Sequence, residues 1–335
     1  MNPFEKSAIG NTGVEVTRLG LGGAPLSGMV LAGGLYGGSA YDEAVRLTRR
    51  AYEHGIRYFD TAPHYGEGRS EVRMGGALAD FPRDSFVIST KVGRVLNPRN
   101  GDASVATPEG LPNLEVAFDL SRDGILRSVE ESLERLGTDH VEIIYLHDPD
   151  VEDLEDESNE SAFPTMIELR DQGVVKAIGC GMNIWDMPAR FVRRFDLDII
   201  LLAGRYTLLD HSALPEFLPL CEERNVKIAV GGPYNSGILA RDLDGPVSFN
   251  YHPAPQDLVE QARRLKAVCD RHGTDLKAAA LQFVLAHPAV ATVIPGAQTV
   301  EELDENVRMA SADIPADLWA ELRSEGLIPE SAPTP

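Results

Sequence analysis

Apolar positions recur along this chain in two rhythms. Short runs rich in β-branched and aliphatic residues alternate with longer segments whose apolar positions return every three or four residues. TRLGLGG is the first short run, and YDEAVRLTRRAYEHG follows it with Ala44, Val45, Leu47, Ala51 and Tyr52 suited to one helical face. IRYFDTA predicts a second strand and SEVRMGGALADF its helix. Ser70 reads as the N-cap there, although Arg73 stands where a full capping box has Glu. SFVISTK is a third strand, and HVEIIYLH a fourth after the helix SRDGILRSVEESLERLG, which Gly137 stops. VVKAIGCG, LDIILLAG, NVKIAVGG and VATVIPG continue the series to eight. Between them fall the helical patterns AFPTMIELRDQG, WDMPARFVRRF, LPEFLPLCEERN, PQDLVEQARRLKAVCDRHG and LKAAALQFVLAH.

Eight buried strands alternating with helices predict a parallel α/β fold, and the count favours a closed (β/α)₈ barrel with extra C-terminal helices. An open doubly wound sheet is the competing architecture. Against it, TRLGLGGAP has Gly20 and Gly22 but Pro25 where a dinucleotide fingerprint needs its third glycine. No internal repeat or linker divides the chain, so residues 1–335 are expected to form one barrel domain. VGRVLNPRNGDASVATPEGLPNLEVAFDL and NSGILARDLDGPVSFNYHPAP read as long irregular stretches after strands three and seven. On a barrel both lie at the C-terminal rim, where active sites form.

Composition narrows the partners. Of 335 residues, 43% are hydrophobic and 25% charged, as in ordinary globular proteins. A net charge of −21 repels phosphate, which argues against nucleic acid and anionic membrane surfaces as partners. The first residues contain no apolar signal core, and no run approaches a membrane span, so a cytoplasmic location is expected. Three widely spaced cysteines, Cys180, Cys221 and Cys269, suit neither a disulfide framework nor zinc and read as reduced, partly buried thiols. No metal is expected. Oligomeric state is left open.

FDTAPHYGEGRSE, residues 59–71, concentrates the candidate chemistry. Asp60 ends the second strand, and Tyr65 lies in the loop behind it. Lys91 ends the third strand and His147 the fourth, so a barrel brings all four to one rim pocket. A phenol with its ordinary pKa of about 10 is a poor base at neutral pH. A nearby Lys91 ammonium is expected to lower that value, with Asp60 as the ammonium's counter-charge. His147 can hydrogen-bond a substrate oxygen and orient it. Other chemistries use overlapping residues. A metal-dependent lyase or hydrolase could recruit Asp60, His64, His147 and Asp148, but there is no HxxxH or HxH spacing and Lys91 sits badly beside a cation. A Schiff-base aldolase could use Lys91.

These residues resemble the aldo-keto reductase family. FDTAPHYGEGRSE is similar to its FDTA-x-x-YG-x-GxSE signature at Asp60, Tyr65, Gly66, Gly68, Ser70 and Glu71, while STK ending at Lys91 and IIYLH ending at His147 match two further elements. The resemblance runs from about residue 9 to 310. It implies hydride transfer between a nicotinamide and a carbonyl or carbinol, with Tyr65 as general acid/base, Asp60 and Lys91 tuning it, and His147 orienting a small-molecule substrate. VIPGAQTVEELDENV resembles the family's cofactor segment, which implies contacts from Pro295, Gly296, Ala297, Gln298, Glu302 and Asn306. Gly22, Gly23, Asp60, Asn183, Pro233 and Gly237 complete the implied cofactor set. A regulatory subunit that keeps only cofactor binding is a third, non-enzymatic class, disfavoured because all four tetrad residues are present.

The chain also departs from the family pattern. Met182-Asn183 stands for a Ser-Asn pair, Ala203 for a Gln, and Gly231 for an aromatic that stacks on nicotinamide. With MNIWD and GGPYNSGILA, these changes make the chain look most similar to a bacterial subgroup that includes aldose 1-dehydrogenases, L-fucose dehydrogenase and pyridoxal 4-dehydrogenases. The substrate expected is therefore an aldose, such as L-fucose, L-galactose or D-arabinose, oxidised at its hemiacetal carbon. Pyridoxal oxidation and general aldehyde reduction are the alternatives. His64, Tyr65, His147 and Trp185 are the candidate substrate contacts, with Asn183, His211 and Asn235 as further hydroxyl readers. From Val290 to Val307 there is no Lys or Arg to grip a 2′-phosphate, whereas Glu301, Glu302, Asp304 and Glu305 are acidic, so NAD is expected over NADP.

Overall fold

A computed structural model of the chain describes residues 1–28 and 38–335. Eight strands form one sheet: β1 (Leu21–Gly22), β2 (Tyr58–Asp60), β3 (Val87–Val92), β4 (Ile143–His147), β5 (Ala177–Met182), β6 (Ile199–Ala203), β7 (Lys227–Gly231) and β8 (Val290–Ile294). Their spatial order follows the chain, and every pairing is parallel. Parallel bridges between Leu19 and Val293 and between Gly22 and Gly296 join the first strand to the last and close the barrel. Strands β2 to β5 are buried on both faces, which is why they are mostly apolar, with polar residues such as Asp60, Lys91 and His147 at or near their C-terminal ends.

Two apolar layers hold this arrangement. Inside the barrel, Tyr58, Val87, Ile143, Tyr145, Ala177, Ile199, Ala229 and Ala291 cluster with Ile9, Val14 and Val16. The last three belong to an antiparallel hairpin, Lys6–Ala8 with Glu15–Thr17, that plugs one end of the barrel. Outside, the helices bury their apolar stripes on the strands. Helix Arg122–Leu136 buries Ile125, Ser128, Val129, Ser132 and Leu136, with Ser121 accepting the Gly124 N–H at one end and Gly137 left-handed at the other. The strands meet so closely that a Cβ on Gly179 would stand 1.6 Å from the main-chain oxygen of Ile199. Cys180, Cys221 and Cys269 are fully buried, free thiols.

Three local expectations need correction. Ser70 does not cap its helix, Arg69–Leu78, which begins after a left-handed Gly68. Its hydroxyl lies inside the first turn and donates to the Gly23 main-chain oxygen, while accepting from Thr61. The stretch after β3 is not wholly irregular either: Arg94–Pro98 pairs antiparallel with Leu114–Phe118 to form a rim hairpin. A smaller ribbon, Ser248–Phe249 with His252–Pro253, lies in the stretch after β7. Helices Val300–Ala310 and Ala316–Ser324 follow β8. None of the described helices is long and apolar enough to cross a membrane.

Candidate active site

Strand register sets the site. Asp60 lies opposite Gly22 and Ser89, Lys91 opposite Tyr145, and His147 opposite Gly181, all at or near the C-terminal strand ends. Lys91 Nζ donates at 2.8 Å to Asp60 Oδ2 and at 2.8 Å to the Thr61 main-chain oxygen. Ser89 Oγ donates to Asp60 Oδ1 at 2.7 Å. A hydroxyl has one proton, so Tyr58 must donate to Ser89 across their 3.0 Å contact, and Tyr145 to Tyr58 across 2.9 Å. A directed chain of hydrogen bonds thus rises through the barrel interior to the carboxylate. Burial pushes the Asp60 carboxyl up, while Lys91 and Ser89 pull it back down.

The signature following Asp60 holds Tyr65 in place. Glu71, fully buried, accepts from Thr90 Oγ1 at 2.6 Å and from Arg135 Nε at 2.6 Å, which fixes the helix behind the Tyr65 loop to β3. Lys91 Nζ lies 4.5 Å from the Tyr65 ring centroid, and the ring meets His147 edge-on at 5.8 Å. The phenol's pKa is raised well above 10 by burial first, then by Asp60 and Asp148, with Arg94 opposing. The net direction is thus opposite to the lowering expected from Lys91, because burial and the two carboxylates prevail. Two ammonium protons are committed to Asp60 and Thr61, and the ammonium lies against the ring.

Both histidines at the site are neutral as well. Burial, then Arg94, Lys91 and His64, hold His147 well below its ordinary pKa. Burial, Arg94 and Lys91 bring His64 down to about 4. The rings stand 5.8 Å apart, and Nδ1 of each is buried without a partner among the described residues.

These groups line a cavity of about 380 Å³, together with Gly22, Gly23, Asn183, Asp148 and Tyr251. A second cavity of about 160 Å³ shares Gly232 and Gly296 with it. Pro233, Gly237, Gln298, Glu302 and Asn306 line this second space. Pro295 and Ala297 line neither: Ala297 is buried, and the Pro295 oxygen accepts from Gly22 N. Trp185 also lies outside both, at the start of helix Asp186–Arg194 and against the core. His211 meets Phe283 edge-on, while Asn235 bonds Thr207 and Gly204, so the candidate hydroxyl readers reduce to His64 and Asn183. Among the described residues no group of three or more His, Cys, Asp or Glu could hold a metal ion.

Two basic residues reach the second cavity that local sequence did not reveal. Arg241 comes from the stretch after β7 and Lys277 from helix Leu276–Leu285. Lys277 Nζ pairs with Glu305 Oε2 at 2.6 Å. Glu302 Oε2 accepts from Gln298 N at 2.8 Å, and Thr299 accepts the Glu302 N–H at the head of the helix. The two cavities adjoin at Gly232 and Gly296: one is lined by Asp60, Tyr65, Lys91 and His147, the other by Arg241, Lys277, Gln298, Glu302, Glu305 and Asn306. Ala203 and Gly231, side by side in β6 and β7, both line the larger of these cavities.

Residues 18–325 match the aldo/keto reductase family. The chain is 42% identical to a D-threo-aldose 1-dehydrogenase from a Pseudomonas species, over 95% of this chain and 96% of the relative. It is 39% identical to a pyridoxal 4-dehydrogenase of Microbacterium luteolum, over 97% and 98%. Among solved structures, the holo form of a Bacillus halodurans aldo-keto reductase superposes with a TM-score of 0.75 at 26% identity, covering 98% of this chain and 97% of that one.

Proposed function

Since the chain belongs to the aldo/keto reductase family, whose members are oxidoreductases using NAD(P)H, we propose that it oxidises the hemiacetal carbon of an aldose to a lactone, with NAD preferred. The observation that carries this reading is the convergence of Tyr65, Lys91, Asp60 and His147 on one cavity that continues into a second, polar one. A bound NAD supplies the hydride acceptor. The hemiacetal C–H bond breaks with its electron pair leaving the carbon for the bound cofactor, and the hydroxyl proton passes to Tyr65 Oη as the carbonyl forms, in the fraction of enzyme whose phenol has first released its own proton to solvent. Neutral His147 holds the reacting oxygen, and Asp60 keeps Lys91 against the Tyr65 ring. In the reverse direction the neutral phenol donates the proton.

The likeness to an aldose 1-dehydrogenase supports the sugar. Pyridoxal, whose ring hemiacetal offers the same bond, is the second reading and rests on the likeness to a pyridoxal 4-dehydrogenase. NAD is favoured because Glu302 and Glu305 line the smaller cavity and, of its two cations Arg241 and Lys277, the latter is paired with Glu305. Assay of L-fucose, L-galactose, D-arabinose and pyridoxal with each cofactor tests the proposal. Turnover of at least one aldose with higher kcat/KM for NAD at low salt is expected. Activity confined to aromatic aldehydes would overturn it.

A further inference from the structure

Beside the tetrad stands a carboxylate that proton transfer does not need. Asp148 follows His147 directly and lines the larger cavity. Its backbone is left-handed (φ 44°, ψ 54°), a conformation rare outside glycine and one that often marks a functional position. It occupies the N-cap position of the short turn Pro149–Glu152, where an aspartate ordinarily accepts a main-chain N–H, yet it makes no such bond. Its side chain turns to Arg94 instead, whose Nη2 lies 3.0 Å from Oδ2. Arg94 is fixed by stacking over Phe118 at 4.8 Å and by an Nε contact of 3.4 Å to the His147 main-chain oxygen. His147 Nε2 is 3.5 Å from the same Oδ2. Oδ1 accepts no hydrogen bond from any described residue.

We propose that Asp148, held by Arg94, is a substrate-binding carboxylate that accepts hydrogen bonds from ring hydroxyls of a polyhydroxylated substrate. This rests on the aldose reading above and adds the group that would read the sugar. A negative charge here works against the chemistry, because Asp148 helps raise the Tyr65 phenol. Burial also raises the Asp148 carboxyl itself, to about 6, with Arg94 and Lys91 opposing and Asp150 adding to the rise. Arg94 compensates this charge through Oδ2, and the second oxygen, Oδ1, is left to meet what enters the cavity. An apolar aldehyde would displace water from Oδ1 without replacing its hydrogen bonds, whereas hydroxyls donate to it. His64 and Tyr251 line the same cavity, and the unpartnered His64 Nδ1 belongs to a neutral ring able to share a hydroxyl. The cavity therefore offers an acceptor charge and neutral hydrogen-bonding groups in the mixture a polyol requires.

The test is calorimetric binding of L-fucose, L-galactose and their singly deoxygenated analogues to the wild type and to Asp148→Asn. Asparagine tolerates the left-handed backbone and keeps the size while removing the charge. If that variant does not fold, Asp148→Gly keeps the backbone conformation and deletes the carboxylate. In the wild type, loss of the hydroxyl that meets Asp148 should weaken binding by about tenfold or more, as expected for a charge-assisted hydrogen bond. In either variant the parent sugar should bind about tenfold more weakly, and the same deoxygenation should cost less than about threefold, because contacting groups are coupled. Equal deoxygenation penalties in wild type and variant at every position would overturn the proposal and leave Asp148 as an anchor for the rim hairpin. Sugars that bind in the expected pattern but are not oxidised with either cofactor would sink the dehydrogenase reading and leave this role standing.

Discussion

Lys91 Nζ stands over the face of the Tyr65 ring, 4.5 Å from its centroid, while donating to Asp60 and to the Thr61 main-chain oxygen. The cation–ring contact does not depend on the phenolic oxygen, so Tyr65→Phe should keep the fold and cofactor binding. Turnover should fall at least about a hundredfold, since positioned acid–base work is worth roughly 10²–10⁴. Fluorescence titration with NAD and steady-state kinetics check both halves. Near-normal turnover rules out Tyr65 as the proton carrier.

The raised phenol pKa also sets a direction for pH dependence. A phenol above its ordinary value stays protonated past neutrality, ready as an acid and unready as a base. Sugar oxidation should therefore speed up with rising pH without levelling off below about pH 10, while carbonyl reduction stays flat over the same range. Profiles of kcat/KM in both directions decide it, and an oxidation plateau near pH 7 would contradict the assignment.

Asp60 and Lys91, 2% and 1% exposed, form a buried ion pair whose partners depend on each other. Lys91→Met should cost about 3–5 kcal/mol in unfolding free energy because it strands a carboxylate inside the barrel. Adding Asp60→Asn should restore part of that loss. Chemical denaturation of the single and double variants measures the coupling, and simple additivity would count against the pair.

His64 gives an acid-sensitivity prediction. Its folded pKa of about 4 lies below the unfolded value of about 6.5. The unfolded chain therefore binds the proton first, and stability present above pH 6.5 is lost as pH falls toward 4. The window is worth about 2–3 kcal/mol. His64→Gln should flatten this part of the curve, read as denaturation midpoints at pH 4, 5, 6 and 7. His147, depressed in the same direction, keeps some slope in the variant.

Glu302 Oε2 holds Gln298 N in the smaller cavity. Glu302→Arg replaces a repelling charge with an attracting one and should raise the NADP-to-NAD ratio of kcat/KM about tenfold or more at low salt. The loss of the Gln298 contact should weaken both cofactors alike, so the ratio is the quantity to measure. An unchanged ratio would place the 2′-oxygen elsewhere.

The barrel was legible because strands buried on both faces are mostly apolar, as the run IIYL before His147 shows. The rim hairpin was not. Its strands are separated by the polar segment between Pro98 and Leu114, and only Arg94, Val95, Leu96 and Leu114 are buried. The N-terminal plug did leave a signal, since Gly10 and Gly13, both with positive φ, bracket its turn. Within the site, the groups at or just beyond strand ends could be located because strand number fixes where each one points. Arg241, Lys277 and Tyr251 reach the cavities from loops and a helix, so spacing along the chain carries no trace of their meeting. Trp185 and His211 mislead for the same reason: proximity to a strand end does not fix which way a loop side chain turns.

All three cysteines are sealed in the core, and burial raises their thiols, Cys269 to about 12 and Cys180 well above its ordinary value. The folded protein is thus silent toward thiol reagents, and a single introduced cysteine becomes its only chemical address. Val105, 69% exposed between the two strands of the rim hairpin, is a suitable place for one. A dye attached there would report on the mouth of the barrel as ligands enter and leave, with no native thiol first removed.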